Sequence, residues 1–261
     1  MNQFGVLLKK EWRENFRNYK LFWIPVVFIL FGIIEPLTNY FLPQILDSVG
    51  NLPEGAVIDI PPPEPEQILA AVMGQYQLVG LLVLVLAYMG AIAGERKNGT
   101  ATLLYVRPLS FTAYFLSKWI LASVVGLLSV WLGLITAYYY TMLLFERIDF
   151  TKFLQFAGTY SLWILLVVTF VLLLSAAMPN AGMAAAASLL LIIIFQLADG
   201  LFGAYWTVSP LKIPGYAVSW LLDSPGNKEF WGTMGISVFL ILAMLGSGIW
   251  MSKYNASKTK V

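Results

Sequence analysis

Carboxylates, hydroxyls and amides carry whatever chemistry this chain can do, because it contains no histidine and no cysteine. Without imidazole or thiolate, the side chain that titrates near neutral pH and the common transition-metal ligands are both missing. A disulfide framework is excluded as well. The remaining reactive groups fall in two kinds of place. Glu35, just before Pro36, and Asp199, just before Gly200, stand inside apolar runs, where an unpaired charge is costly. Together with Gln196, they are candidates for a polar substrate route, for ion coupling, or simply for the membrane interface. The Ala198-Asp199-Gly200 sequence lacks the surroundings of an intramembrane aspartyl protease. The second place is the run from Glu95 to Ser110, E-R-K-N-G-T-A-T-L-L-Y-V-R-P-L-S, a polar break between two long apolar segments.

The elements around these residues are membrane spans. Of the 261 residues, 59% are hydrophobic and 11% charged, where about 25% charged is usual for a soluble domain. The apolar residues gather in runs of roughly 20, enough for a helix to cross ~30 Å of hydrocarbon. None alternates as a barrel strand would. Six spans are expected, at about 21–41, 68–94, 119–145, 158–178, 182–202 and 231–251, in one all-α membrane domain covering residues 1–261. With both termini cytoplasmic, only Arg147, Lys152, Lys212 and Lys228 of the 16 Lys and Arg fall outside, which satisfies the positive-inside rule. The outer loop 42–67 is acidic and proline-rich, and is expected to be extended. Residues 203–230 mix aromatics with Pro and Gly, as short interfacial or re-entrant helices do. Ala181 to Ser188 offers small residues for close helix packing. The basic segments flank spans and belong to no soluble module, so they suit anionic lipid headgroups and not nucleic acid.

Ahead of the first span, Phe4, Leu8, Trp12 and Phe16 recur every four residues. That spacing predicts an amphipathic interfacial helix over residues 1–20. Within 95–110, Gly99 permits a turn, Thr100 can start a helix, and Pro108 ends it. Ala101 to Val106 then form a short surface helix whose apolar face holds Leu103 and Leu104.

Glu95, Gly99-Thr100, Leu103-Leu104, Pro108-Leu109-Ser110 and Lys118 resemble the pattern of permease subunits of type-2 ATP-binding-cassette (ABC) exporters. The order of parts agrees over essentially the whole chain. The resemblance implies that residues 1–20 form an elbow helix and that the 95–110 segment is a coupling helix seated on a separate cytoplasmic ATPase. In that role Glu95, Arg96 and Arg107 supply polar contacts, Leu103 and Leu104 apolar ones, and Gly99, Thr100 and Pro108 the shape. It also implies a second permease chain, identical or homologous, and a location in the cell membrane. The chain has no G-x-x-x-x-G-K-[ST] loop, so it is expected to be a transport subunit and no enzyme. ATP and Mg would sit on the partner, with no cofactor on this chain. Rival classes are an ion-driven secondary transporter using Glu35 and Asp199, and a non-transporting scaffold or sensor subunit.

Overall fold

In the computed structural model, residues 3–49, 63–99, 110–222 and 227–258 are described, and no strand occurs among them. The helices are α1 (Gln3–Arg17), α2 (Lys20–Val49), α3 (Pro65–Gln75), α4 (Leu81–Tyr88), α5 (Ala93–Lys97), α6 (Phe111–Leu144), α7 (Phe150–Ala177), α8 (Ala181–Phe202), α9 (Ile213–Leu222) and α10 (Asn227–Lys258). Among the described residues, six helical stretches are long and apolar enough to cross a membrane, the second being the composite Pro65–Lys97.

Local chemistry sets the helix ends. Ser110 caps α6 by accepting from the Ala113 N–H at 3.3 Å. Asp149 caps α7 through Thr151, and Asn180 caps α8 through Met183. These side chains satisfy backbone donors that the first turn leaves over. Between α1 and α2 the chain turns at Tyr19, whose φ of 55° lies in the left-handed region. For a non-glycine residue that conformation costs roughly 1–2 kcal/mol.

Burial separates a centre from a rim. The apolar windows of α6 and α7 are 56% and 61% buried, against 22%, 17% and 22% for α2, α8 and α10. α2 crosses α6 where Gly32 meets Gly133, and a Cβ added to Gly133 would lie 2.6 Å from the Phe28 carbonyl oxygen. Small residues allow this approach, and in lipid such packing drives helix association. Beside the crossing, a π-helical turn over Tyr76–Gly80 interrupts the second span. It brings the Tyr76 hydroxyl within 2.7 Å of the Phe28 carbonyl, to which it donates.

The helices outrun the hydropathy limits. The third span starts at Phe111, not near 119, and Lys118 lies inside it, 3% exposed. A window read from hydropathy stops at such a charge; the fold carries it because the charge is paired. The stretch expected to be an extended loop over 42–67 also changes. α2 runs on through Val49 despite Pro25, Pro36 and Pro43, and α3 begins at Pro65, where a proline at the first helical position gives up no needed donor. In the 203–230 stretch, a 3₁₀ turn at Pro210–Lys212 leads into α9, which packs along α7. The Lys152 ammonium donates to the Leu221 carbonyl, and that of Lys212 donates to Gly203 at 2.9 Å.

Candidate coupling site

Glu95 sits in the short helix α5 at the end of the second span, and its carboxylate turns into the protein. One oxygen takes the ammonium groups of Lys10, from α1, and Lys118, from α6 at 2.9 Å. The other accepts the Tyr114 hydroxyl at 2.6 Å. Lys118 also reaches Glu11 at 2.8 Å, and Lys10 reaches Glu11 at 2.9 Å and Glu14 at 2.8 Å. Three carboxylates and two ammonium groups therefore interlock three helices. Glu11, Glu95 and Lys118 are buried, so each charge relies on its partners and not on water.

The carboxylates of Glu11, Glu14 and Glu95 converge closely enough to hold a metal ion. The Lys10 ammonium already bridges all three. Burial works against the Lys10 charge, but Glu95, then Glu11 and the bond to Glu14, outweigh it. The ammonium is held above the ordinary lysine range.

The geometry also explains how α1 sits. Leu7, Glu11 and Asn15 form its buried face, while Trp12 is 51% and Phe16 53% exposed. Phe4 and Leu8 are half-buried. The helix thus lays its polar ridge on the protein and presents its aromatic edge outward, as an interfacial helix does. Gln3 accepts from the Ser110 N–H, so α1 touches both the beginning and the end of the 95–110 stretch.

Arg96, the next residue, is bound from another side. Its guanidinium donates to the carbonyls of Ala176 (3.0 Å), Ser175 and Met178 at the C-terminus of α7. A cation there meets both unsatisfied carbonyls and the negative end of the helix dipole. Asn255, from α10, donates to the same Ala176 carbonyl. Ser175 adds a second tie, because its hydroxyl donates to Met89 and accepts from the Ile92 and Ala93 N–H groups at 3.0 and 3.1 Å. One fully buried serine thereby satisfies the backbone where α4 gives way to α5. Gly99 ends α5 with a φ of 72°, the left-handed cap that glycine adopts without strain.

Of the residues expected to contact a partner ATPase, Glu95 and Arg96 are thus turned inward and Gly99 closes the helix. Thr100, Leu103, Leu104, Arg107 and Pro108 lie outside the described residues. The residues expected to line a polar route are placed separately. The Glu35 carboxylate accepts from Gln75 and from Asn39 of its own helix. Asp199 accepts from the Trp206 indole at 2.9 Å, and Gln196 is half-buried on α8. The small-residue start of α8 buries Ala184, Ala185 and Ser188 and packs against α7. Sequence reasoning missed Glu11, Tyr114 and Ser175. The available signal was Lys118 itself, a lysine in an apolar run that needs a carboxylate.

Comparison with known proteins covers nearly the whole chain. Residues 6–251 match the family described as ABC-2 family transporter protein. The chain is also 33% identical over 246 residues to a protein of Bacillus subtilis (strain 168), named "Uncharacterized transmembrane protein YxlG". That alignment covers 94% of this chain and 95% of the relative. The family match runs from α1 through the Glu95 junction and into the last span, and the chain belongs to the ABC-2 family of transporter membrane proteins.

Proposed function

We propose that this chain is the permease half of an ATP-driven exporter, taking its energy through the 95–110 segment from a separate cytoplasmic ATPase. The family supports a permease of an ABC transporter; the direction of transport and the route of coupling are our reading. The observation that carries it is the Glu95 junction. The carboxylate immediately before the segment is ion-paired to the elbow helix and to the third span, and the adjacent guanidinium is bound to the end of α7. A push on the segment is therefore delivered at once to α1, α6 and α7.

In this mechanism ATP and Mg bind the partner, both termini of the permease are cytoplasmic, and a second permease chain completes the path. Closure of the ATPases shifts the spans as rigid bodies and opens the route outward. Leu103 and Leu104 form the apolar contact with the ATPase, and Arg107 a polar one. Glu95 and Arg96 act behind that surface as the internal anchorage.

The test is Leu103→Asp with Leu104→Asp in a purified permease–ATPase complex reconstituted in vesicles. The expected result is normal membrane insertion and continued ATP hydrolysis that no longer drives the conformational cycle. Unchanged nucleotide-driven cycling in the double variant would overturn the assignment.

A further inference from the structure

Away from the charged junction, α7, α8, α10 and the Pro210–Lys212 turn line a half-open cavity of about 310 Å³. Its walls include Trp163 and Phe170 of α7, Ile192 of α8 and Pro210 of the turn. Phe195 of α8 and Leu240 of α10 also line it, yet they are 46% and 37% exposed. These two residues belong at once to the cavity wall and to the outer faces of two membrane spans. The cavity therefore opens sideways, between α8 and α10, onto the surface that a bilayer covers.

Water is a poor occupant. The Ser209 hydroxyl already accepts from Leu211, and the Trp163 indole N–H is buried with no acceptor. Only these two lining side chains carry a hydrogen-bonding nitrogen or oxygen, the bare minimum of the two to four partners that an ordered water takes, and the rest of the wall offers water nothing. Left empty, the aromatic and branched walls would forfeit dispersion contacts across a volume at the low end of the ~300–1,000 Å³ range of ligand pockets. The medium at the mouth is hydrocarbon, in which helix faces are solvated by lipid tails.

We infer that this cavity is a binding site for one hydrocarbon chain of a membrane lipid, which enters between α8 and α10 and rests against the Pro210–Lys212 turn. The chain, and not the headgroup, is what the site recognises, since its walls hold no charged residue. The inference does not depend on the transport mechanism. It gives the turn and α8 a shared support, because Lys212 in that turn also holds the end of α8 at Gly203.

The experiment reconstitutes the full chain in vesicles of a phospholipid with a photoreactive diazirine midway along one acyl chain, and maps adducts by peptide mass spectrometry. Adducts are expected on the inner wall, at Val167 and Phe170, as well as on exposed Leu197 and Leu201 of α8. Filling the cavity, by Ile192→Trp or separately by Leu211→Trp, should lower inner-wall labelling roughly tenfold, because the pocket volume is taken up. Labelling at Leu197 and Leu201 should persist, which also reports that the variants are folded. The same lipid with its photoreactive group on the headgroup should leave the inner wall unlabelled. Labelling confined to the exposed residues, whether from annular lipid or because a second copy of the chain seals the mouth, would overturn the inference. So would inner-wall labelling that both filling variants leave unchanged.

Discussion

At the scale of single residues, Lys118 decides whether the first turns of α6 can enter the protein. Its ammonium is almost fully buried and is held by Glu11 and Glu95. Lys118→Met would leave those carboxylates with Lys10 as their shared counter-charge, and removal of one partner from a buried pair costs about 3–5 kcal/mol. A marked fall in the thermal unfolding midpoint of purified protein is the expected outcome. Adding Glu95→Gln to that variant should recover part of the loss, since the two positions share one network and their effects do not add. Lys10 yields a prediction about pH. Its pKa is raised on folding, so its contribution is fully present below the unfolded value of about 10.4. That contribution is lost only as pH rises through the higher folded value. Docking of α1, followed by fluorescence of a probe at exposed Trp12, should therefore hold steady from neutral pH into the mildly alkaline range. Release near neutrality would refute the pairing.

At the scale of elements, the junction depends on where helices stop. The second span does not run unbroken into the 95–110 stretch; it breaks after α4, and Ser175 bonds the buried backbone groups that the break leaves without helical partners. Ser175→Ala leaves those groups buried and unpaired, at about 1–3 kcal/mol for each group that finds no substitute. Faster hydrogen exchange of the Ile92 and Ala93 amides is the expected signature. The α2–α6 crossing has a steric counterpart. Gly133→Ala sets a methyl group against the Phe28 carbonyl, so the helices must separate and the unfolding midpoint must drop; an unchanged midpoint would show that the crossing has slack. These elements were unequally legible in the sequence. The spans were plain, because a run of apolar residues has few other fates in lipid. The stripe Phe4, Leu8, Trp12 and Phe16 announced a helix, and the structure adds that Glu11 and Asn15 on the other ridge are what it buries. Ser175 and Tyr114 left no local trace, since their partners lie 86 and 19 residues away and only the fold brings them together. The true start of α6 was hidden for the same reason. Lys118 reads as a boundary until its partners are known.

At the scale of the whole molecule, α6 and α7 form a buried centre, α2, α8 and α10 a more exposed rim, and Lys10, Glu11, Glu14, Glu95 and Lys118 gather into a single joint. That joint binds α1, α5 and α6 through Glu95 and α7 through Arg96. The central claim is that these parts move together when the partner ATPase acts. The native chain has no cysteine, so two introduced thiols are the only labelling sites in it. Nitroxide labels at Arg13→Cys on α1 and Lys97→Cys at the end of α5, both exposed positions, report the distance across the joint by pulsed electron resonance. The measurement compares the permease–ATPase complex without nucleotide and trapped with ATP and vanadate. The account predicts one narrow distance in both states for the otherwise native chain, and a distribution that shifts or broadens on trapping once Glu95→Gln is added. A distance that changes between states with Glu95 in place, or a Glu95→Gln variant that holds the native distance in both, would contradict it.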